Sequence, residues 1–260
     1  SNNDYLNDFG FFYISETTTT TQQPSQEAPS GDAGGRGRTR LNKAFIINES
    51  VLKIELTPGD ISTKKILIKS VGNSPANIHI DKGVLAPYVI TDKEIITLGI
   101  GLEEEVQFVF VIPRDLPPGI YHGIIRFREE TLSINDAIPL IVIIDVKEKT
   151  ALFDLDLESD KSEFFIGDTI EAIAHLINLG DLRPVDVNLY YALRGVEGED
   201  IISEVKTYAV DNKLDVPVSL KIPSYVKPGK YLLYGELRYQ NTTAYSSILI
   251  SAIEKPKQES

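Results

Sequence analysis

A chain of 260 residues, 42% hydrophobic and 25% charged, has enough apolar material for one large domain or two of ordinary size. Its formal net charge of -12 argues against nucleic acid as a partner, because phosphate recognition requires Lys and Arg gathered on one face. Without cysteine it has neither disulfides nor thiolate metal sites. Methionine is also missing, even at position 1, so the expectation is a processed chain that meets a membrane only through a removed N-terminal anchor.

Residues 1–16 form a short N-terminal segment whose centre, FGFFYIS at 9–15, carries four aromatics. It reads as a strand outside any domain, and Phe9, Phe11, Phe12, Tyr13 and Ile14 are candidates for donation to the open edge of a sheet. Residues 17–40, TTTTTQQPSQEAPSGDAGGRGRTR, contain almost nothing large and apolar. They cannot offset the entropy of ordering and read as a disordered Thr/Pro/Gly-rich linker, with a random-coil reach of roughly 25 to 30 Å. Arg36, Arg38 and Arg40, its one basic cluster, read as solvated linker rather than a polyanion contact.

From residue 41 the chain is strand after strand, each bounded by Gly, Pro, Asn or Asp. VLKIEL, KKILIKSV, NIHI, EVQFVFVI, GIYHGIIRF and IPLIVIIDV fill the first half. FDLDLE, DTIEAIAHLINL, VDVNLYYAL, EVKTYAV, LDVPVSLKI, KYLLYGELRY and SSILISAI fill the second. No segment of ten or more residues sustains a helical spacing, so the class is all-β. The longest apolar run, AIPLIVIIDV at 137–146, is too short to span a bilayer and is expected to be a buried strand.

The two halves repeat. PGDISTKKILIKSVGNSPANIHI at 58–80 parallels IGDTIEAIAHLINLGDLRPVDVNL at 166–189, matching Gly59 with Gly167 and Gly72 with Gly180. IPRDLPPGIY at 112–121 parallels IPSYVKPGKY at 222–231, matching Pro118, Gly119 and Tyr121 with Pro228, Gly229 and Tyr231. Two sandwich domains are therefore expected, 41–148 and 149–254, with a flexible tail at 255–260. The short KEKT joint at 147–150 predicts an end-to-end rod with a modest interface.

At IKSVGN and LINLGD, and again at PPGIY and KPGKY, the chain resembles the immunoglobulin-like and fibronectin type III-like modules of prokaryotic surface proteins. These include the cell-adhesion-related bacterial domain and the glycosidase-associated module. The resemblance covers about residues 43–254 and implies two tandem immunoglobulin-like β-sandwiches. Independently of it, a Pro-Gly turn before a strand lets the entering tyrosine bond back to the turn, so Tyr121 and Tyr231 are expected to be corner tyrosines.

Chemistry-bearing residues are sparse. Strand alternation puts His79, His122 and His175 on outer faces of different strands, where they are expected to be solvated, with no metal assigned to them. Asp154, Asp156 and Glu158 alternate with Phe153, Leu155 and Leu157, and Ser159 stands where a calcium loop needs Gly. No Gly-x-Ser-x-Gly is present, and Gly99-Ile100-Gly101 lacks the third glycine of a dinucleotide loop. Asn48 and Asn241 satisfy the N-glycosylation triplet, Asn241 in an expected exposed turn.

The expected function is a non-catalytic, extracellular structural or adhesive module without cofactors, whose partner is a protein, a surface polysaccharide or the chain itself. Two alternatives stand beside it. One is a carbohydrate-binding or accessory module of a secreted glycosidase, offering Tyr190 or Tyr191 and Tyr234 as exposed aromatics. The other is a filament subunit that assembles by N-terminal strand donation.

Overall fold

The computed structural model describes residues 44–133, 136–148, 151–180 and 183–256. The candidate donated strand, Phe9 to Ile14, and the linker at 17–40 lie outside the described residues. The first half comprises β1 (Phe45–Ile47), β2 (Val51–Leu56), β3 (Ile61–Ser70), β4 (Ala76–Asp81), β5 (Val89–Thr91), β6 (Ile95–Leu98), β7 (Glu103–Val111), β8 (Gly119–Glu129) and β9 (Ile138–Val146). The second comprises β10 (Phe153–Glu158), β11 (Glu163–Phe165), β12 (Thr169–Asn178), β13 (Val185–Gly195), β14 (Asp200–Val210), β15 (Lys213–Lys221), β16 (Gly229–Tyr239) and β17 (Thr242–Ile253). A short 3-10 turn, Gly83–Leu85, precedes β5.

Each half is a two-sheet sandwich, and the two halves share one strand order. Sheets β1-β3-β7-β5 and β2-β9-β8-β4-β6 correspond to β10-β12-β15 and β11-β17-β16-β13-β14, with β5 the one addition. In both, the first strand is split. β1 and β10 pair antiparallel with β3 and β12, whereas β2 and β11 cross to the other sheet and run parallel to β9 and β17. The turn after the split is also repeated: Gly59 and Gly167 sit at φ 92° and 88°. The next residue of each, Asp60 and Asp168, receives its carbonyl bond from Ile112 and Ile222 respectively. A side chain at those φ values is strained, which is why glycine stands at both.

In-out alternation builds two separate cores, one around Ile66, Phe108, Phe110, Phe127 and Leu140, the other around Leu155, Leu176, Leu189, Tyr191 and Leu220. β10 shows the pattern plainly, with Phe153, Leu155 and Leu157 buried and Asp156 and Glu158 exposed. β9 breaks it, because every residue from Leu140 to Val146 is buried. Leu140, Val142, Ile144 and Val146 face the first core. Ile141 and Ile143 on the other face pack with Leu232 of β16 in a third cluster, flanked by Val51, Ile120, Ile124, Val196 and Leu249.

That cluster joins the two sandwiches and overturns the expected rod. Tyr245, near the start of β17, lies by Lys147 at the end of β9, while the β13–β14 hairpin at Val196 and Glu197 reaches His122 and Arg126 farther along β8. The second sandwich therefore lies alongside the first in the opposite sense. The outer face of β2-β9-β8 meets the outer face of β17-β16, giving a four-layer stack. An apolar face on each of those two sheets cannot be left in water, and mutual burial removes both from it.

Candidate functional site

The repeated corner is built alike in both halves. The Tyr121 hydroxyl donates to the Pro117 carbonyl at 2.8 Å, and the Tyr231 hydroxyl donates to the Lys227 carbonyl at 2.7 Å. Pro118 and Pro228 lie inside these four-residue loops, and Gly119 and Gly229 start the strands that follow. Gly72 is a point of close approach, because a Cβ there would meet the Ala44 backbone at 3.1 Å. Gly180 closes its own turn, its N–H donating to Asn178 Oδ1 at 3.0 Å. Gly99 and Gly101 sit in the turn by which the chain passes from β6 in one sheet to β7 in the other, with Leu102 N–H donating to the Gly99 carbonyl.

The two glycosylation triplets differ. Asn241 is exposed at the β16–β17 turn. Asn48 is half-buried, and its Oδ1 accepts from Leu67 N–H at 2.9 Å, extending the short β1–β3 pairing by a side chain. A glycan on Asn48 would have to remove that acceptor.

Sheet packing corrects the expectation for two groups of residues. His122 is on the outer face of β8, but that face is the interface, so it is part-buried rather than solvated. Its Nδ1–H donates to the Val196 carbonyl at 2.9 Å. Burial holds its pKa below the ordinary 6.5, and the nearby Arg194 acts in the same direction. Tyr191 and Tyr234, expected as exposed aromatics, are 0% and 5% exposed. Tyr191 lies in the second core, and Tyr234 lies under the Arg194 guanidinium, 3.7 Å from its ring centroid. Arg194 is paired with Asp200, which also accepts from the half-buried Tyr190 hydroxyl.

The same interface encloses polar groups. Lys53 Nζ donates to the Ser247 carbonyl at 3.0 Å across the two sandwiches. Asp145 is 3% exposed, and burial pushes its carboxyl up despite Lys147 at 3.2 Å. Its Oδ1 and the Ser247 hydroxyl are buried without a hydrogen-bond partner. The unpaired atoms cost this packing some stability, whereas the Lys53 bond to Ser247 is lost in any other register and so favours the observed one.

The outer faces of the other two sheets remain free. On β10, β12 and β15, His175 bridges three strands: Nδ1 lies 2.7 Å from Asp215 and Nε2 lies 3.1 Å from Glu158. These carboxylates raise its pKa above 6.5. Asp154, Asp156 and Glu158 therefore do not converge, since Glu158 is occupied by the imidazole. Among the described residues no group of three or more His, Asp or Glu side chains is arranged to hold a metal ion.

An open groove of about 770 Å³ lies where the split first strand of the second sandwich crosses between sheets. β10 stays paired with β12 only as far as Glu158 opposite Ile173. The first residues of β12, Thr169 to Ala172, have no strand on that side among the described residues. The Ser159 hydroxyl reaches there, donating to the Glu171 carbonyl at 3.0 Å. Phe164, Ala172 and Val218 form the groove's apolar floor, while Phe165 and Ile173 are exposed at its sides. The first sandwich has a similar open edge, since β1 pairs with β3 only over Ile68–Ser70, but that edge strand carries Lys64 and Lys65.

These features define a pair of immunoglobulin-like β-sandwiches with edges, not an enclosed pocket, as their accessible concave surface. No family model and no curated protein matches the chain. Similar solved structures include a protein of unknown function from Porphyromonas gingivalis, at 12% identity and TM-score 0.44, covering 81% of this chain and 99% of that one. The CARDB domain of a Pyrococcus furiosus protein in complex with di-metal ions is similar at 10% identity and TM-score 0.29, covering 39% of this chain and 87% of that one. A family 123 glycoside hydrolase from Clostridium perfringens is similar at 14% identity and TM-score 0.33, covering 37% of this chain and 22% of that one. The immunoglobulin-like class itself rests on the strand order.

Proposed function

We propose that the chain is a non-catalytic structural or adhesive module of a prokaryotic cell-surface or secreted protein. The observation that supports this reading best is the face-to-face locking of the two sandwiches through Ile141, Ile143 and Leu232. A four-layer block of this kind is stiff, and it presents strand edges and the groove beside β12 to its surroundings. The acidic balance suits a protein kept soluble and apart from anionic surfaces, and the Thr-rich stretch at 17–21 suits a tether. The resemblance to the cell-adhesion-related bacterial domain at PPGIY and KPGKY points the same way.

The accessory-module reading loses two of the aromatics it depended on, because Tyr191 and Tyr234 are internal. It would have to rest on Tyr225, at 73% exposed, and on Tyr190. The test is retention of the full chain on an array of surface polysaccharides and surface proteins, run beside a hydrolase screen on chromogenic glycosides and esters. Saturable retention without turnover is the expected result. Turnover that co-purifies with the chain would replace this reading with an enzymatic one.

A further inference from the structure

We propose that the groove beside β12 is the acceptor for residues 36–43 of a second copy of this chain, RGRTRLNK, which adds to the open edge at Thr169–Ala172 as an extended strand. The inference deepens the structural reading above by naming a partner, and it rests on that reading only in taking a strand edge as the working surface.

Three observations select this occupant. First, over Thr169–Ala172 the edge has no partner strand, only the Ser159 hydroxyl on the Glu171 carbonyl, and it borders an apolar floor, which is what strand addition uses for affinity. Second, the charges are complementary. Asp160, Glu163 and Glu171 line the groove against Lys161, while Glu158 is held by His175 at 3.1 Å and Asp168 is taken by Lys255 at 2.7 Å. In the sequence, Arg36, Arg38 and Arg40 alternate with Gly37, Thr39 and Leu41, so an extended chain places all three guanidiniums on one face. Opposite charges facing each other across paired strands favour that register. Third, the equivalent edge of β3 bears Lys64, which repels the same segment, beside Lys65, whose charge is met by Glu105 at 2.7 Å, so the two open edges are not interchangeable.

Chain length decides between the same copy and another. The described fold begins at Ala44, just before β1, and only residues 41–43 separate it from Arg40. Four backbone steps reach at most about 14 Å. The sheet holding β1 and the sheet holding β12 are the two outer layers of the four-layer stack, about 30 Å apart at about 10 Å per layer. Arg40 cannot reach its own groove, whereas a neighbour's segment can. The contact joins two different surfaces, so it is heterologous and propagates head to tail.

The test is sedimentation of the full chain from about 1 µM to about 1 mM, with and without charge reversal. The wild type is expected to show mass that grows with concentration and falls when salt is raised from about 50 to about 500 mM. R36E/R38E/R40E, outside both cores, and E163K/E171K, on exposed positions, should each shift the association midpoint at least tenfold while leaving the thermal transition in place. Mixing the two variants should restore association, because each supplies the half the other lacks. A labelled peptide of residues 33–43 should bind the wild type and fail to bind E163K/E171K. A monomer at every concentration overturns the proposal, and so does association that survives both reversals. Neither result bears on retention by polysaccharides or other surface proteins, so the adhesive reading fails or stands separately.

Discussion

His122 and His175 occupy corresponding kinds of position, outward from a strand, yet their surroundings move them in opposite directions. Burial against the second sandwich lowers His122, while Asp215 and Glu158 raise His175. NMR titration of the folded chain should therefore show one imidazole above 6.5 and one below. The stability consequences also oppose each other. His175 contributes stability that is fully present below its unfolded value and is lost as pH rises through its folded one. His122, with a depressed folded value, contributes stability that is lost as pH falls from 6.5 toward that value. His175→Gln should flatten the first dependence and leave the second.

The tyrosines divide in the same way. Tyr231→Phe removes one hydroxyl bond at the corner and should lower the stability of the second sandwich by about 1 kcal/mol, read from the urea midpoint. Tyr121→Phe should do the same to the first. Tyr234 would have been near neutral if exposed, but it is an interface residue beneath Arg194. Tyr234→Ala should cost about 3 kcal/mol, as truncation of a buried aromatic does.

At the level of elements, the repeated split strand and its glycine turn are the most telling pair. Gly167 has open space around it, so Gly167→Ala meets no steric neighbour and its effect isolates backbone strain. It should lower the melting midpoint by the equivalent of about 1 to 2 kcal/mol. The short strands β1, β5, β6 and β11 are not evident in the sequence, and there is a physical reason. Three or four residues do not establish a period of two, and such strands exist only through the partner that pairs with them. The longer strands β3, β8, β10 and β12 are legible because an alternating stretch commits one face to a core. β9 was legible as a buried strand, and its lack of alternation also carried a signal for a second buried face. An antiparallel strand with one face in water would not need Ile141 and Ile143 alongside Leu140, Val142 and Ile144.

Across the whole molecule, the interface between sandwiches should be separable from their folding. Ile143→Asp places a charge between the two faces without touching either core. The expected result is an increased radius of gyration in solution scattering with both sandwiches still folded. A change confined to global melting, with no expansion, would mean that the interface is not separable from the folding of the sandwiches. The interface also carries its own acid dependence. The Asp145 carboxyl, raised by burial, keeps its proton in the folded state at pH values where the unfolded chain has released it. Stability therefore falls as pH rises from the ordinary 3.8 through the raised value. Asp145→Asn should remove that slope, seen as a wild-type minus variant difference in urea midpoint that shrinks with acid.

By itself the sequence determined the all-β class, the duplication and the matched corners. These depend on local rules, namely alternation, Pro-Gly turns and a tyrosine four residues from its acceptor, which act within one strand or one loop. It also singled out the candidate glycosylation turn at Asn241 and the outward faces of the histidines. Only the tertiary structure decided which outward faces meet water. His122 is internal because Val196, 74 positions on in the chain, belongs to the second sandwich that covers it, and Asp145 and Tyr234 are buried on the two faces that meet there. The groove beside β12 likewise exists because β10 leaves its sheet after Glu158, a departure set by the pairing of β11 with β17 and not by any motif in the residues that line it.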